Sequence, residues 1–270
     1  MGALTHDLER VPALVAESGS QLGRPFHFQA RTESTNDDAK SAAKSGAPHG
    51  ATWLAEEQTA GRGRQGRSWL SPRGESLLFS VLLRVDLAPA KVPRVALVAG
   101  LAVRDAVARA APSARVAIKW PNDVEIDGRK VAGILVEGLT AGSKTQAIVV
   151  GMGINVHTRT FPPEIEDRAT SIALVSAGGP PPDRAALLVD VLASLDRDVH
   201  LIGGRGLGLL RSRIEAADAL RGRPVRSETG EEGTASGIDD DGRLLVRLGS
   251  GTLVRWSSGE VHLVRPSAAR

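Results

Sequence analysis

The sequence predicts an α+β fold, in which a mixed, mostly antiparallel sheet carries helices and a small β-barrel follows. Apolar runs short enough to be strands lie between longer Ala-, Leu- and Val-rich segments. Asp127-Gly128, between two apolar runs, is a strong signal for a hairpin turn, and such turns join antiparallel strands. Beyond residue 222, short β-like runs separated by Gly- and Asp-rich turns indicate a barrel of about fifty residues.

The elements follow in order along the chain. An amphipathic helix over residues 4–18, interrupted at Pro12, is expected to come first. The other predicted elements are strands over 26–30, 51–57, 76–85 and 116–120, strands on both sides of Asp127-Gly128, a strand over 145–156, and helices from Ser34 to Gly46 and over 91–111, 183–200 and 207–219. A domain boundary is expected near residue 220.

Composition excludes several classes of protein. With no cysteine, the chain has no disulfide framework, thiol nucleophile or Cys-ligated metal. The six histidines are scattered without i, i+4 pairs, so no zinc site is expected. A net charge of +3 gives a weak overall field, which argues against sequence-independent nucleic-acid binding. No apolar stretch approaches the ~20 residues of a membrane span and no signal peptide is recognisable, so a cytoplasmic protein is expected.

Residues 61–67 interleave three glycines with three arginines in the order Gly-Arg-Gly-Arg-Gln-Gly-Arg. The spacing matches G-x-G-x-x-G, but a Rossmann motif would open a helix, and here residues 68–72 lead into another strand. Glycines let the backbone fold closely around a ligand, and arginines offer paired donors to phosphate or carboxylate oxygens. The motif predicts either a mobile loop that an anion orders, or a solvated basic loop that contacts water or nucleic acid.

A second group of polar residues lies at a strand end and on the adjacent hairpin: Lys119, Asn122, Asp123 and Lys130. If Lys130 points to one face of its strand, Ala132 and Ile134 point the same way, and Lys130 lies at the rim of an apolar surface. The alternative is a solvated strand lysine beside ordinary turn residues.

Two smaller motifs have both a structural and a functional interpretation. Two glycines and Asn155 in residues 151–156 would let a ligand approach the backbone, or would form a β-bulge. Ser34, Thr35 and Asn36 would cap a helix, and the same groups at a helix N-terminus can bind a polar head group or an anion.

In this order, the motifs resemble those of the biotin–protein ligase family. The matching segments are STN (34–36), EEQTAGRGRQGRSW (56–69), KWPNDV (119–124), GRKVAGILVE (128–137), GMGINV (151–156), RPV (223–225), GIDDDGRLLV (237–246) and GEVHLV (259–264). The resemblance covers roughly residues 25–265. It implies a class II synthetase-like biotin/lipoate ligase catalytic domain over 1–220 and an SH3-like β-barrel over 221–270.

The resemblance also implies roles for individual residues of this sequence. The biotin-binding residues would be Ser34, Thr35, Asn36, Gln58, Arg62, Gly63, Lys130 and Gly133. The nucleotide-binding residues would be Arg64, Arg67, Trp69, Asn122 and Asn155. The catalytic residues would be Lys130, Arg64, Asp123 and Lys119, and no protein ligand for a metal is assigned.

The activity implied is that of a carbon–nitrogen ligase in two steps. Biotin and ATP would give biotinyl-5'-AMP and pyrophosphate, and biotin would pass to a lysine on the biotin carboxyl carrier domain of an acetyl-CoA/acyl-CoA or pyruvate carboxylase. Both reactants of the first step are anions, so arginines, lysine and the Mg²⁺ that accompanies ATP would supply compensating charge. The attacking amine of the second step is protonated at neutral pH, and Asp123 is the candidate acceptor of that proton.

Two departures from the family pattern qualify the resemblance. Some members carry an N-terminal DNA-binding domain, whereas only 33 residues precede Ser34. We therefore expect a monofunctional ligase that binds no DNA. Arg265 follows Val264, where members often place arginine directly after the leucine, so a role for Arg265 is left open.

Three alternatives stay open at the level of sequence. A lipoate–protein ligase shares the fold and the adenylation chemistry, although the arginine loop together with KWPND favours biotin. An RNA-binding module would use the arginine loop and the barrel, but aromatic residues make up only 3% of the chain and no base-stacking cluster is visible. A non-catalytic biotin sensor would keep the pocket without turnover.

Overall fold

The first part of the chain forms a seven-stranded sheet. In the computed structural model, which describes residues 7–176, 179, 182–202 and 206–264, its strands are β1 (Phe26–Gln29), β2 (Thr52–Ala55), β3 (Ser76–Leu83), β4 (Val116–Lys119), β5 (Asp123–Ile126), β6 (Arg129–Ala141) and β7 (Lys144–Asn155). They lie in the order β1-β2-β3-β7-β6-β5-β4. The pair β1–β2 is parallel and every other neighbouring pair is antiparallel, so the mixed, mostly antiparallel sheet is confirmed.

Six α-helices accompany this sheet in the described part of the chain: α1 (Val11–Ser18), α2 (Thr35–Lys44), α3 (Arg94–Ala110), α4 (Ile172–Val175), α5 (Arg184–Val199) and α6 (Arg211–Ala217). The short α4 was not predicted. Pro12 was expected to interrupt a helix, but it lies in the first turn of α1, where no intrahelical bond depends on its missing N–H. No helix within the described ranges is both long enough and apolar enough to cross a membrane.

The two faces of the sheet carry different layers. On one face, Val150 and Ile134 belong to the main core, which packs against α3 and α5. On the other face, α2 covers a smaller apolar cluster that includes Trp53, Leu82 and Val149. All eight residues of β3 are buried because the strand is covered on both sides.

The long β6–β7 hairpin sets three glycines next to one another on the α2 face. Gly133 pairs with Gly153, and Leu135 pairs with Gly151. Residues two apart on a strand share a face and lie about 7 Å apart. The register therefore produces a strip of sheet without side chains, which we call the glycine strip.

A β-bulge decides which way Lys130 points. The register of the β5–β6 pair shifts by one residue, so that Val131 has no partner of its own. Lys130 consequently reaches over Gly133 on the glycine strip, whereas Ala132 and Ile134 are buried in the main core. The expectation that Lys130 shares a face with Ala132 and Ile134 was wrong, because it assumed a regular strand.

The C-terminal part of the chain forms a second, five-stranded sheet. Its strands are β8 (Pro224–Ser227), β9 (Glu232–Ile238), β10 (Leu244–Leu248), β11 (Leu253–Trp256) and β12 (Val261–Leu263), in the order β11-β10-β9-β8-β12. All neighbouring pairs are antiparallel. This arrangement fits the small SH3-like barrel expected from the sequence; Arg265 lies outside the described residues.

One turn of the second sheet, which includes Asp241 and Gly242, contacts the first part of the chain. The indole N–H of Trp120 donates to the carbonyl of Gly242 at 2.9 Å. The guanidinium of Arg94, which is almost fully buried on α3, forms an ion pair with Asp241. The strand end that carries the Lys119–Asp123 motif therefore has a direct contact with the barrel.

Arg184, the first residue of α5, is fully buried and joins three segments of chain. Its guanidinium donates to both carboxylate oxygens of Glu56 at 2.9 and 3.0 Å, and to both of Asp7 at 2.8 and 2.9 Å. Glu56 is itself only 3% exposed. Because Glu56 follows β2 directly, this cluster fixes the segment that leads to Gln58.

Replacing Arg184 with Met is expected to lower the free energy of unfolding by about 3–5 kcal/mol, because Glu56 is left as a buried charge without its partner. Urea denaturation of Arg184→Met, Glu56→Gln and the double variant measures this. The double variant should lose less than the sum of the two single losses. Strictly additive losses would contradict the coupling.

Candidate functional site

The N-terminus of α2 presents three buried polar residues to the glycine strip. Ser34 occupies the N-cap position, and its carbonyl accepts the N–H groups of Asp37 and Asp38. Its hydroxyl makes no capping hydrogen bond, so capping of the helix does not account for the Ser34 side chain. Thr35 and Asn36 follow, and both are less than 5% exposed.

A chain of hydrogen bonds lies beneath this helix end. Gln58 Oε1 accepts the N–H of Thr35 at 2.8 Å and lies 3.0 Å from its hydroxyl. The Thr35 hydroxyl is also 2.7 Å from that of Ser80, and Ser80 donates to Asn36 Oδ1 at 2.6 Å. The Gln58–Thr35, Thr35–Ser80 and Ser80–Asn36 pairs are three close oxygen–oxygen contacts, but only the two hydroxyl groups of Thr35 and Ser80 supply hydrogens to them. The cluster has spare acceptor capacity and is suited to receive an N–H from a ligand.

The three glycines of the strip give room to neighbouring side chains. A Cβ on Gly151 would overlap Asn36 Oδ1, and one on Gly153 would lie 2.5 Å from the indole of Trp69. A Cβ on Gly133 would lie 2.9 Å from the same indole. Close approach of side chains therefore explains these glycines, where sequence reasoning also allowed a β-bulge.

The arginine loop, residues 61–67, folds back over the strip. Gln65 and Gly66 have φ values of 55° and 73° and form the reversal. The N–H of Trp69 then donates to the carbonyl of Gly61 at 2.9 Å, which closes the base of the loop. This closure places the Trp69 indole on the glycine strip, where its buried N–H has no hydrogen-bond partner in the described chain.

Each arginine of the loop has a partner within the chain: Arg62 with Asp37 and Glu137 at 2.8 and 3.0 Å, Arg64 with Asn122 at 3.1 Å, and Arg67 with Glu260. Arg62 and Arg67 each pair with a carboxylate, whereas the side-chain partner of Arg64 is a neutral amide, so in the described part of the chain Arg64 is the loop arginine without an ion pair. Burial lowers the pKa of Arg64, and nearby Asp123 offsets part of this effect. Arg64 is therefore the loop cation best placed to meet an added anion.

Two lysine–carboxylate pairs lie at the other end of the strip. Lys130 Nζ is 2.8 Å from Asp123 Oδ1, in an ion pair that lacks hydrogen-bond geometry, and 5.5 Å from the ring centre of Trp69. Lys119 Nζ is 3.2 Å from Glu125. Glu125 is 5% exposed, and burial raises its pKa, although Lys119 acts in the opposite direction.

The two asparagines expected to bind nucleotide are both bonded to the backbone. Asn122 exchanges hydrogen bonds with Ile134, its side-chain amide donating to the Ile134 carbonyl at 2.9 Å. Asn155 donates to the carbonyl of Thr170 at 3.0 Å, and Thr170 in turn bonds the backbone of Lys130. Both residues thus hold the segments around Lys130 in place, and their amide nitrogens are already engaged.

A cleft of about 400 Å³ lies beside the arginine loop. Its lining comprises Arg62, Gly63, Arg64 and Gln65 of the loop, Trp120, Pro121 and Asn122, residues 134–137 of β6, Val92, Pro93, Ala96 and Leu97 at the start of α3, and Gly242, Ser257 and Ser258 of the barrel. The cleft therefore adjoins candidate biotin-binding and nucleotide-binding residues, and the barrel forms one of its walls.

Sequence reasoning missed two residues that the structure brings into the site, Ser80 and Glu137. Ser80 was hidden inside a run interpreted as a buried apolar strand, although a hydroxyl in the middle of such a run was a usable signal. Glu137 was quoted within a motif but received no role. Its partners come from α2 and the arginine loop, about 75 to 101 residues away along the chain, which no local pattern reveals.

One group outside this site has the residue types of a metal centre. His49, Asp196 and His200 place candidate ligand atoms within 4.8 Å of one another in the described chain. His49 Nδ1 accepts the N–H of Arg84 at 3.0 Å, so the ring proton lies on Nε2. A metal-bound histidine instead donates from its second nitrogen, so the hydrogen bonding of His49 does not fit a metal ligand.

Comparison with known proteins identifies the family. A model of the biotin/lipoate A/B protein ligase family matches residues 28–155, and one of the biotin protein ligase C terminal domain matches residues 222–264. The chain is 38% identical to a biotin--[acetyl-CoA-carboxylase] ligase of Mycobacterium tuberculosis, over 89% of this chain and 90% of that protein. The chain belongs to the biotin protein ligase family. A ligase of the same name from Paracoccus denitrificans is 36% identical, over 83% of this chain and 95% of its own length.

Solved structures of biotin protein ligases share the fold. The enzyme from Aquifex aeolicus in complex with biotin and ATP superposes with a TM-score of 0.73 and 31% identity, over 88% of this chain and 98% of that chain. The enzyme from Leishmania major in complex with biotinyl-5-AMP gives 0.57 and 26%, over 86% and 98%. The α+β fold with a small second sheet is thereby confirmed, and membership of the biotin protein ligases favours biotin over lipoate.

Glu125 yields a test of the electrostatics at this end of the site. Its pKa is raised in the folded state, so the folded protein favours the protonated acid, and stability is lost as pH rises through that pKa. Glu125→Gln should therefore gain stability relative to the parent protein as pH rises from 4.5 to 7. Denaturation curves at both pH values measure the change. The exposed Glu166→Gln is the matched control; an equal shift in both variants would argue against burial as the cause.

Proposed function

We propose that this ligase converts biotin and ATP to biotinyl-5'-AMP and pyrophosphate, and then transfers biotin to a lysine on the carrier domain of a biotin-dependent carboxylase, of the acetyl-CoA/acyl-CoA or pyruvate type. The observation that supports this best is the glycine strip, which has an acceptor-rich cluster at one end and Lys130 at the other. Biotin has the same polarity: a ureido head that donates N–H groups, an apolar middle and an anionic tail.

The head of biotin would lie at the N-terminus of α2. The ureido N–H groups would donate to the cluster formed by Thr35, Gln58 and Ser80, which has spare acceptor capacity. The free hydroxyl of Ser34 and the amide nitrogen of Gln58 would serve the ureido oxygen. Arg62 and Gly63 would close the rim, and Gly133 would leave room for the apolar part of the ligand.

The tail of biotin and the nucleotide would meet at Lys130. A carboxylate oxygen of biotin attacks the α-phosphorus of ATP, and the bond to the leaving pyrophosphate breaks. Lys130, Arg64 and Arg67 would compensate the negative charge of the two anions. Trp69 would cover the nucleotide, and Asn122, Asn155 and Lys119 would hold the surrounding segments.

Magnesium would arrive with ATP. The carboxylates nearest the cleft are already paired with cations, Asp123 with Lys130 and Glu137 with Lys40 and Arg62. This donor set fits an ion held by phosphate oxygens and water better than one held by the protein. When bound, Mg²⁺ would neutralise phosphate charge, and we assign it no protein ligand.

The second step would use the same site. The carrier amine attacks the carbonyl carbon of the adenylate, the bond to AMP breaks, and the amine loses a proton. Asp123 is the candidate acceptor of that proton. Its present partner Lys130 lies 2.8 Å away, and Lys130 would turn to the phosphate of the leaving AMP as the proton is taken.

We also propose that residues 1–220 form the catalytic domain and residues 221–270 the barrel domain. The barrel would support the arginine loop, since the side chain of Gln65 donates to Glu228 at 2.7 Å. Ser257 and Ser258 would bring the barrel to the edge of the cleft.

Transfer to a carrier tests the whole proposal. The purified protein is incubated with biotin, ATP, Mg²⁺ and a carrier domain, and the mass of the carrier is measured by mass spectrometry. The expected result is one added biotin on one lysine, absent when biotin or ATP is omitted and absent in a Lys→Arg carrier. No added mass with a folded enzyme would contradict the proposal.

Lys130→Ala should lower biotin-dependent ATP–pyrophosphate exchange by at least about 100-fold, because several kcal/mol of charge compensation is lost while no core volume is removed. Lys44→Ala, at the exposed end of α2, is the matched control and should exchange normally. Near-normal exchange by folded Lys130→Ala would remove Lys130 from the mechanism.

Arg62→Ala should release biotinyl-5'-AMP roughly tenfold faster than the parent protein, because a charged donor at the rim is lost. The measurement is the appearance of free adenylate after rapid filtration. Arg73→Ala, an exposed arginine just beyond the loop, is the control and should retain the adenylate. Equal leakage from the two variants would contradict a specific role for Arg62.

A further inference from the structure

Glu137, on β6, links this strand to α2 and to the arginine loop, the three segments that surround the candidate biotin site. It lies on β6 with its side chain one-quarter exposed. Its Oε2 accepts the side-chain amide of Asn36 at 2.7 Å and the guanidinium of Arg62 at 3.0 Å. Its Oε1 accepts the ammonium of Lys40 at 2.9 Å. One carboxylate thus contacts the N-terminal turns of α2 and the arginine loop together.

The carboxylate determines the orientation of the Asn36 amide. An ionised carboxylate only accepts hydrogen bonds, so Asn36 must turn its NH₂ group toward Glu137 and its oxygen away. That oxygen then receives the hydroxyl hydrogen of Ser80 at 2.6 Å. The hydrogen of Ser80 is committed in this way, and its oxygen becomes an acceptor for Thr35 at 2.7 Å.

The polarity of this chain of bonds starts from that one charge. The Ser80 hydrogen points toward Asn36, the Thr35 hydrogen is shared between Ser80 and Gln58, and lone pairs on Thr35 and Gln58 remain for a ligand. If the Asn36 amide were reversed, the Ser80 hydrogen would have no acceptor there. It would turn to Thr35, and part of the acceptor capacity would be lost.

We infer that Glu137 is a positioning residue for the biotin head group. Its charge sets the direction of the Asn36–Ser80–Thr35 hydrogen bonds and holds Arg62 at the rim, so that the site accepts N–H groups from the ligand. The inference rests on the proposed function, since it assigns Glu137 a role in binding the acid that is activated.

Asp37 provides a matched comparison because it shares two of the three partners of Glu137. Asp37 Oδ1 is 2.8 Å from Arg62 and 2.8 Å from Lys40. Of the two carboxylates, Glu137 is the one that bonds to the side chain of Asn36. Neutralising either acid removes one ion-pair partner of Arg62 and of Lys40. Only Glu137→Gln also replaces the acceptor of the Asn36 amide by a group that can donate as well as accept, and so no longer fixes the direction of that amide.

The experiment compares Glu137→Gln with Asp37→Asn in biotin-dependent ATP–pyrophosphate exchange. For Glu137→Gln, the KM for biotin should rise about tenfold or more, the effect of losing a hydrogen bond to a charged group. Its KM for ATP and its kcat at saturating biotin should stay within about twofold, since the nucleotide side is untouched. Asp37→Asn should keep the KM for biotin within about threefold.

Two results would overturn the inference: an unchanged KM for biotin in Glu137→Gln, or an equal rise in both variants, which would make the effect one of net charge at Arg62. If circular dichroism shows that Glu137→Gln does not fold, Glu137→Asp replaces it, because the shorter side chain keeps the charge but withdraws it from the Asn36 amide. A raised KM for biotin with an unchanged KM for ATP supports the inference, and an unchanged KM for biotin contradicts it. A parent protein without biotin-dependent exchange would indicate failure of the proposed function itself, before any variant is compared.

Discussion

The antiparallel register between β6 and β7 is the constraint on which the rest of the site depends. It pairs Gly133 with Gly153 and Leu135 with Gly151, and so removes side chains from one strip of an otherwise filled sheet. Asn36 and Trp69 approach the backbone at this strip. A slip of β7 by one residue would turn Gly151 and Gly153 to the main core and bring Val150 and Met152 to the α2 face, which would close the strip.

Around this strip, basic side chains form ion pairs with carboxylates of the same chain. The arginine loop was expected to await an external anion, but two of its three arginines contact carboxylates of the same chain, and the third contacts an amide. A site that must bring two anions together needs cations that are held in position before the ligands arrive, since fixed dipoles and charges require little reorganisation during reaction. Paired cations of this kind also allow the loop to close over the strip without strong repulsion among like charges.

Much of the fold could be predicted from the sequence because it follows local rules. The Asp127-Gly128 hairpin has positive φ at both turn residues, as that dipeptide favours, and the helices and strands fall close to their predicted ranges. The strand order and the bulge at Val131 could not be predicted, because both depend on pairing between distant segments. The direction of Lys130 was wrong for that reason, and the contacts of Glu137 could not be foreseen. The roles expected of individual residues came from the resemblance between motifs, and the structure adds the distances between their side chains.

The most direct test of the central claim is ATP–pyrophosphate exchange by the purified protein with biotin, lipoate and octanoate as separate acids. A glycine strip that ends in a cluster able to accept ureido N–H groups predicts exchange with biotin alone, because neither of the other acids offers such donors. Exchange with lipoate or octanoate at a comparable rate would contradict the account of the head-group site. No exchange with any acid, in a sample shown to be folded, would contradict the proposed reaction.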